Sequence, residues 1–402
     1  MNELASLGTI LLVALLAGHV VKFLRVPEVT GYILAGVLLG PTGAHLITHE
    51  ALDSLEVFSE VALGLILFAI GAVFELGQFR RIGRQVATLT ATESLLAALF
   101  VGGGALAIGQ PLIIALLLGV IAMETAAAST LMVMRECNAQ GPLTETLSAL
   151  IALNNIFCLT GFLALVAGID LQRQLAEQGL QWAVVYRSLY PLVWQLTGSI
   201  ALGFLLGLLI ATWGKQVTEQ GEMLILLVGG LLLAVGAAQL LELSPLLTTL
   251  AVGAAMVNLS RESRRIFDAL GQTDPPLYAI FFVIAGADLN LGLLPSLGAL
   301  GAVYVLGRAG GKLLGTVVAS RRTPQEPVVR RYLGYAMLSQ AGLAVGLLLT
   351  VNRRFPDVAP VVTTVVLAGV TVFELIGPLG ARFALVRAKE TRPQPPVTGL
   401  MG

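Results

Sequence analysis

A carboxylate and three hydroxyl groups interrupt one of the most apolar stretches of the chain. Glu124, Thr125, Ser129 and Thr130 lie inside a run that otherwise has the composition of a membrane-spanning helix. An ionisable side chain at the centre of a bilayer costs roughly 3 kcal/mol, and such residues usually form ion pairs, relay protons or bind ions. Glu124 therefore has two compatible interpretations. It exchanges a proton for a cation, or it forms a structural ion pair with Arg308 or Lys312.

Two basic residues within a later apolar run are candidate partners for such an acid. Arg308 and Lys312 are four residues apart, which places them on one face of a helix. From the middle of a bilayer, the two side chains cannot both reach water without a large free-energy cost. We therefore expect at least one of them to neutralise carboxylates or to replace a cation in the empty state. The alternative places both near the inner membrane interface.

Further polar side chains suited to an ion site lie in two other apolar runs. Asn154 and Asn155 carry uncharged carboxamides that can coordinate a cation or cap a broken helix, although such residues also join helices by ordinary hydrogen bonds. Glu93 is flanked by Thr92 and Ser94 and is a candidate second proton or ion group. The predicted ion and proton site thus comprises Glu124, Thr125, Ser129, Asn154 and Asn155, with Glu93 as a possible addition.

Other acids, histidines and cysteines are weaker candidates. For Glu75, Asp288 and Glu374 we favour packing or interface roles, and we expect His19 to be a core residue. The chain has three histidines and two cysteines, and their spacing matches no metal-binding or redox motif. The sequence therefore predicts no cofactor, no metal beyond a monovalent cation and no enzymatic catalytic residues.

The composition is that of a membrane protein. Of 402 residues, 56% are hydrophobic and only 12% are charged, whereas soluble domains have about 25% charged residues. The balance of 24 basic and 24 acidic residues gives no basic surface for nucleic acid. We therefore predict an all-α polytopic protein whose surroundings are the lipid bilayer.

Charges, prolines and glycines divide the chain into thirteen predicted spans. A membrane helix needs about 20 mainly apolar residues. The spans lie near residues 4–24, 28–46, 56–76, 84–109, 111–135, 144–168, 190–213, 222–241, 244–258, 265–286, 293–319, 330–351 and 360–384. The first run follows Glu3 instead of a basic segment, so we interpret it as a retained span and not as a cleaved signal.

The distribution of Lys and Arg predicts the orientation, because cytoplasmic loops hold the excess of these residues. With the N-terminus outside, eighteen of the 24 fall on the cytoplasmic side. Those outside are Arg173, Arg187, Arg353 and Arg354, and two more, Arg308 and Lys312, lie within span eleven. This bias predicts an inner (plasma) membrane protein with an external N-terminus and a cytoplasmic C-terminus.

Similar strings recur in the two halves of the chain. A string starting at Pro27 aligns with one at Pro245, and a string at Phe68 aligns with one at Phe282, with offsets of 218 and about 214. The paired spans are seven apart, an odd number, so the halves have opposite topologies. We therefore predict a first repeat at 1–168, a connector with helix seven at 169–220, a second repeat at 221–385 and a disordered cytoplasmic tail at 386–402.

Span twelve carries a counterpart to the polar interruption in span five. Ser339, Gln340 and Gly342 interrupt an apolar run at the corresponding position of the second half. Paired interruptions of this kind indicate crossed broken helices, whose free backbone groups line a cavity. The alternative is that small residues simply allow close helix packing. Alternating access around a midplane site requires such inverted symmetry, whereas a channel or receptor does not.

Five strings carry a family resemblance over nearly the whole chain. They read RVPEVTGYILAGVLLGP from Arg25, LGLILFAIGAVFEL from Leu63, FFVIAGA from Phe281, RAGGKLLG from Arg308 and SQAG from Ser339. They resemble the monovalent cation:proton antiporter superfamily, most closely its Kef-type and sodium/proton exchanger branch. The resemblance implies thirteen helices in an inverted repeat, a homodimer, and an ion-translocating domain that moves against a dimerisation domain.

The departure from that superfamily concerns the expected ion-binding residue. Its members usually carry an aspartate in helix six that binds cation and proton alternately, whereas the matching positions here are Asn154 and Asn155. The resemblance implies either that Glu124 has taken over the exchange or that proton coupling is lost. We predict a secondary transporter that exchanges Na⁺ or K⁺ for H⁺ between helices five, six and twelve. The alternatives are a proton-independent carrier on the same scaffold and a non-transporting membrane sensor.

Overall fold

The computed structural model describes residues 3–24, 26–71, 74–178, 182–217, 219–260, 263–289, 291–293, 298–323 and 325–392. Within these ranges the chain forms helices joined by turns and short loops, with no strand among the described residues. The prediction of an all-α fold is therefore confirmed. Arg25 and Arg261, two of the basic residues counted for the orientation, lie outside the described residues.

The helices of the described ranges follow the predicted apolar runs. They are α1 Glu3–Phe23, α2 Glu28–Leu39, α3 His49–Gly71, α4 Leu76–Ala107, α5 Leu112–Ile121, α6 Ala127–Glu136, α7 Pro142–Gln178, α8 Trp182–Val193, α9 Ser199–Gly214, α10 Gln220–Leu240, α11 Pro245–Leu259, α12 Ser263–Ala287, α13 Gly298–Arg322, α14 Pro327–Ala336, α15 Gly342–Arg354 and α16 Ala359–Ala388. A π-helical turn, Trp194–Gly198, joins α8 to α9, and a 3₁₀ turn, Leu291–Leu293, follows α12. Each of the thirteen runs coincides with one helix or with consecutive helices.

Seven of the described helical segments are long and apolar enough to cross a membrane by themselves. They include Leu4–Phe23 at the start of the chain and Ala359–Ala388 at its end. The remaining apolar helices are shorter, among them Leu112–Ile121 and Pro245–Leu259. The structure thus confirms a polytopic pattern by length and composition, while the total of thirteen crossings stays a prediction.

The helices pack as two bundles. In the first bundle α1 packs on α2, α2 on α12, and α3 on both α10 and α11. In the second bundle α4 packs on α5, α7 and α13, and α16 packs on α14 and α15. The π-helical turn joins α8, which packs on α7, to α9, which packs on α10 and α11. The chain therefore passes from the second bundle back to the first through α8 and α9.

Glycines allow two helix pairs of the first bundle to cross at backbone contact. Gly36 of α2 and Gly286 of α12 lie so close to each other's helix that a Cβ on either would overlap the neighbouring backbone. The same is true of Gly71 in α3 and Gly253 in α11. Gly36 and Gly253 are 217 residues apart, and Gly71 and Gly286 are 215 residues apart, so the two crossings are equivalent in the two halves. The contacts thus pair Gly36 with Gly253, one residue from the register predicted by the offset of 218.

Both predicted helix breaks are present. The turn between α5 and α6 covers residues 122–126, and the turn between α14 and α15 covers residues 337–341. The two turns cross, since the backbone N–H of Ala126 donates to the carbonyl of Ser339 at 3.0 Å. Four half-helices therefore meet inside the second bundle.

The last residues of α16 return to the start of α7. The carboxylate of Glu390 accepts hydrogen bonds from the backbone N–H groups of Leu143 and Thr144, each at 2.8 Å. It thereby caps the exposed N–H groups of the first turn of α7. The disordered tail predicted from residue 386 was therefore placed too early, because residues 386–388 are helical and Glu390 is bound. Residues 393–402 of that tail lie outside the described part of the chain.

Candidate functional site at the crossed half-helices

The crossing brings together helix ends that lack intrahelical partners. The last carbonyls of α5 and α14 and the first N–H groups of α6 and α15 have no partner within their own helices. Aligned peptide dipoles make the carbonyl ends partly negative and the N–H ends partly positive. Inside a bilayer these groups must be satisfied by protein atoms or by a water-filled cavity. Such a place can hold both cations and anions.

Two basic side chains of α13 donate hydrogen bonds to the free carbonyls that follow α5 and α14. Lys312 Nζ donates to the carbonyl of Met123 at 2.5 Å, just after α5. Arg308 donates from Nη1 to the carbonyl of Leu338 at 2.7 Å and from Nη2 to that of Ser339 at 2.9 Å, just after α14. Both residues are completely buried. Both side chains therefore reach the crossed breaks from one face of α13, as their spacing predicts.

The side chain of Glu124 faces the positive end of α15. Its Oε2 accepts a hydrogen bond from the backbone N–H of Ala341 at 3.2 Å, while its own carbonyl accepts from Arg308 Nη2 at 2.5 Å. The residue is 1% exposed. The predicted structural ion pair of Glu124 with Arg308 or Lys312 is wrong, because the carboxylate of this described residue forms no ion pair with either. Arg308 still lies beside it, through the shared backbone.

Lys312 pairs with Glu93 instead. The distance from Lys312 Nζ to Glu93 Oε2 is 2.8 Å, and both side chains are fully buried. Asn154 Nδ2 donates to Glu93 Oε1 at 2.7 Å, and the hydroxyl of Ser94 donates to the same oxygen at 2.9 Å. The two charges neutralise each other inside a hydrogen-bonded cluster. The expectation that Lys312 neutralises a carboxylate is therefore met by Glu93.

Of the remaining predicted ligands, some contact the Lys312–Glu93 cluster and others do not. The hydroxyl oxygen of Thr125 accepts from Lys312 Nζ at 2.8 Å, and Asn154 Nδ2 also donates to the Met123 carbonyl at 2.9 Å. Asn155 Nδ2 instead donates to the carbonyl of Ile151, one turn back on its own helix, at 3.0 Å. The structure thus brings Thr125 and Asn154 to the crossing and leaves Asn155 apart.

Ser129 is buried in the first turn of α6. Its hydroxyl oxygen has no hydrogen-bond partner among the described residues. It therefore offers an oxygen close to the break without being fixed by a neighbour.

The partner break holds the other predicted residues. Gln340 Nε2 donates to the hydroxyl of Tyr304 at 2.7 Å and to the carbonyl of Ile121 at 3.1 Å, which ties the break to α13 and to the end of α5. Ser339 contributes its carbonyl, described above, and Gly342 begins α15. Sequence reasoning missed Tyr304, although it lies one helical turn before Arg308 on the same face.

A cavity of about 660 Å³ reaches this region from one side of the molecule. Its lining extends from Gln239 and Ser244, at the loop between α10 and α11, to Ala341 and Gly342 at the break. This side, where α10 ends and α11 begins, is called the N-terminal face, because α1 begins there. The cavity lies between the two bundles. Its inner end approaches Glu124 through Ala341.

Every charged residue among those that line the cavity is an acid. These residues are Glu60 of α3, Asp288 at the end of α12 and Glu374 of α16. The packing or interface roles favoured for Asp288 and Glu374 are therefore incomplete, because both face this space. The signal that could have identified Glu374 is the one applied to Glu124, an acid in the middle of an apolar span. A cavity whose charged wall residues are all acids attracts cations.

The opposite side, called the C-terminal face, is where α1, α6 and α16 end. The carboxylate of Glu136, at the end of α6, accepts from the backbone N–H of Glu28 at 2.7 Å. Arg135 Nη1 donates to the hydroxyl of Tyr278 of α12 at 2.8 Å. Arg382 of α16 pairs with Glu136 at 3.5 Å. The contacts of Glu136 with Glu28 and of Arg135 with Tyr278 join the two bundles on the face away from the cavity, whereas the Arg382–Glu136 pair lies within the second bundle.

Comparisons with known proteins agree with this architecture. Residues 8–385 match the family model described as sodium/hydrogen exchanger, transmembrane. The iron transporter MagA of Paramagnetospirillum magneticum is 32% identical over 91 residues, which cover 23% of this chain and 20% of MagA. The glutathione-regulated potassium-efflux system protein KefC of Cronobacter sakazakii is 27% identical over 66% of this chain and 42% of KefC. The chain thus spans less than half the length of either curated relative.

Two solved structures share the fold. Both are of the sodium proton antiporter MjNhaP1 from Methanocaldococcus jannaschii. The structure at pH 8 has a TM-score of 0.69 at 18% identity and covers 96% of each chain. The electron-microscopy structure has a TM-score of 0.74 at 17% identity and covers 97% of this chain and 99% of its own. At this level of identity the likeness concerns the fold alone.

Proposed function

Because the chain belongs to the sodium/hydrogen exchanger family of transmembrane proteins, we propose that it exchanges a monovalent cation, Na⁺ or K⁺, for protons across an inner (plasma) membrane. The observation that carries the proposal is the position of Glu124. Its carboxylate is buried where two broken helices cross and forms no ion pair with Arg308 or Lys312. It also lies next to a cavity whose charged wall residues are three acids. A carboxyl group in this setting can hold a proton and a cation in alternation. MjNhaP1 is a sodium proton antiporter and KefC is a potassium-efflux system protein, which agrees with cation transport.

The structure narrows the set of ligands that the cation would use. Thr125 and Asn154 already bind Lys312 and Glu93, so they hold the frame of the site. Glu124, the free hydroxyl of Ser129 and backbone carbonyls of the breaks remain as oxygen donors. Hard cations prefer such oxygen ligands. Glu124 therefore carries the exchange, and the buried Lys312–Glu93 pair supports it.

Arg308 balances the site when no cation is bound. Its guanidinium donates to three carbonyls at the crossing, one of which belongs to Glu124 itself. Its charge therefore lies beside the Glu124 carboxylate and favours the ionised form after the proton leaves. An arriving cation then competes with a fixed positive charge. The competition keeps cation binding reversible.

Alternating access would come from movement of one bundle against the other. The cavity separates the bundles on the N-terminal face, while Glu28, Glu136, Arg135 and Tyr278 join them on the C-terminal face. Breaking the latter contacts and closing the cavity would expose Glu124 to the other side. The matching glycine crossings of α2 with α12 and of α3 with α11 support the predicted inverted repeat, which makes two such states similar in energy.

Orientation and assembly complete the proposal. The excess of Lys and Arg supports a cytoplasmic C-terminal face, with the cavity on the outer side. The family resemblance further implies a homodimer. Cysteine labelling from either side of the membrane and chemical cross-linking test these two points.

The proposed function is tested with the purified protein in liposomes that contain a pH-sensitive dye. Addition of Na⁺, K⁺ or Li⁺ outside is expected to drive protons out and raise the internal pH, whereas choline, which is too large for such a site, is not. An internal pH that responds to none of these cations contradicts the proposal. Tracer cation flux that ignores an imposed pH gradient indicates a proton-independent carrier instead.

A further inference from the structure

The carboxylate of Glu374 lies in an unusual environment. Glu374 is in the middle of α16 and is 3% exposed. Its Oε2 has no hydrogen-bond partner in the described part of the chain, and its side chain belongs to the wall of the cavity. The other buried acids at the crossing are bound, Glu93 to Lys312 and Glu124 to the N–H of Ala341. Among the described buried acids of this region, Glu374 is thus the one with neither an ion pair nor a hydrogen bond to its Oε2.

Such a group needs a proton or a cation. Burial of an ionised carboxylate without a partner costs several kcal/mol, because the loss of hydration is not repaid by a neighbour. No basic residue is among the described residues of the cavity wall, whose charged members are Glu60, Asp288 and Glu374 itself. A proton or a mobile cation must therefore accompany Glu374 whenever it is buried.

Glu374 also lies beside the proposed exchange site. Glu374 and Ala341 both line the cavity, and the backbone N–H of Ala341 donates to the carboxylate of Glu124. The hydroxyl of Ser339 packs against Gly377, three residues further along the same face of α16, at a position that a Cβ would fill. That hydroxyl has no hydrogen-bond partner among the described residues. The carboxylate of Glu374 on the cavity wall thus lies near the helix break that holds the Glu124 carboxylate and the Ser339 hydroxyl.

We infer that Glu374 is a second exchanging carboxylate, which together with Glu124 binds one cation at the inner end of the cavity. The inference rests on the proposed antiport and deepens it. In the proton-loaded state both carboxyl groups are neutral, which removes their repulsion. In the cation-loaded state both are ionised, and one cation lies between them with the Ser339 hydroxyl as a further oxygen ligand.

This arrangement fixes the stoichiometry of exchange. Binding of one monovalent cation releases two protons, one from Glu124 and one from Glu374. Each cycle therefore moves two positive charges in one direction and one in the other. The exchange is electrogenic, and a membrane potential drives it. With Glu374 neutralised, the same cycle moves one charge each way and no longer responds to voltage.

The reversal potential in proteoliposomes tests the inference. With equal pH on both sides and a tenfold cation gradient, wild-type exchange is expected to stop at about 59 mV, since one net charge moves per cycle. Glu374→Gln is expected to exchange one cation for one proton. Its driving force, and therefore its exchange, should not depend on the membrane potential. Voltage-independent exchange by the wild type, or an unchanged reversal potential in Glu374→Gln, overturns the inference.

Two further variants separate the role of Glu374 from its structural context. Glu374→Asp keeps the titratable group and is expected to keep the wild-type reversal potential. Asp357→Asn removes an exposed acid just before α16 and is expected to change nothing. If Glu374→Gln does not fold, the wild-type potential alone decides, because a one-to-one wild type excludes the second carboxylate. A wild type that moves no protons with any cation refutes the proposed antiport instead.

Discussion

At the scale of single residues, the best-defined feature is the fully buried pair of Lys312 and Glu93. Its charges, 2.8 Å apart, are surrounded by Asn154, Ser94 and Thr125. Buried pairs add little net stability, because desolvation offsets their attraction, but loss of one partner leaves an isolated buried charge. The pair therefore specifies the arrangement of the crossing and makes each member sensitive to replacement.

Removal of one charge should cost more than removal of both. Lys312→Met is expected to lower the free energy of unfolding by about 3–5 kcal/mol, because Glu93 is left unpaired. The double variant Lys312→Met with Glu93→Gln should recover a large part of that loss. Unfolding in detergent, followed by fluorescence, measures the cycle. Equal losses in the single and double variants would show that the charges do not interact.

The two neighbouring asparagines give a matched comparison. Asn154→Ala should destabilise the protein by about 1–3 kcal/mol, because its amide bonds Glu93, Ser94 and a backbone carbonyl in a buried position. Asn155→Ala should destabilise the protein by only a few tenths of the loss expected for Asn154→Ala, since its amide donates only within its own helix. Unfolding under the same conditions compares them. The reverse order of sensitivity would contradict the assignment.

Much of the site could be predicted from residue types alone. Glu124, Glu93, Arg308 and Lys312 stand out because ionisable residues in apolar spans need a reason to be there. The sequence could not indicate which acid Lys312 pairs with, since that depends on how α4 and α13 pack. Glu374 was assigned to packing for a similar reason, because the cavity beside it forms only between elements from both bundles.

At the scale of elements, helix crossings depend on positions where no side chain fits. Gly36 and Gly253 occupy equivalent crossings, and at each the neighbouring backbone would overlap a Cβ. Gly8 in α1 has open space at the same point. Glycine therefore serves close approach at the first two positions and has no such role at the third.

Alanine at these positions should separate the two cases. Gly36→Ala and Gly253→Ala are each expected to lower the midpoint of thermal unfolding by several degrees, because α2 and α11 must move away from their partners. Gly8→Ala should leave the midpoint unchanged or raise it slightly, since alanine favours a helix. Thermal unfolding in detergent checks all three. A tolerant Gly36→Ala would contradict the close crossing.

The breaks were predictable as elements because polar and glycine residues interrupt two apolar runs at corresponding places. Their partners were not predictable in the same way. The contact of Ala126 with Ser339, and the contact of Glu124 with the start of α15, are set by the crossing of two segments more than two hundred residues apart. Sequence periodicity carries no information about such long-range contacts.

At the scale of the whole molecule, the structure combines a cavity on one face with closed contacts on the other. Glu28 and Tyr278 of the first bundle bind Glu136 and Arg135 of the second. A transporter that alternates between two faces must break these contacts once in each cycle. The assignment of helices to two bundles was not predictable from the division into sequence halves, because each bundle takes helices from both halves.

Cross-linking of the closed face should stop transport. In a background with Cys137 and Cys158 replaced, Glu28→Cys with Glu136→Cys and a short cleavable thiol reagent is expected to abolish exchange until the reagent is cleaved. The control is Asn352→Cys with Thr363→Cys, whose native side chains are 3.0 Å apart within the second bundle. The control should keep its activity when cross-linked. Undiminished exchange with the first pair linked would contradict movement between the bundles.

The role of Glu124 in exchange is tested most directly by one measurement. Cation-driven proton movement is measured in proteoliposomes with wild type, Glu124→Gln and the exposed-site control Asp357→Asn, after each elutes as a folded species. Glu124→Gln is expected to abolish the movement, because Arg308 is left uncompensated and repels the cation, while the control matches the wild type. Wild-type rates and pH dependence in Glu124→Gln would contradict the account.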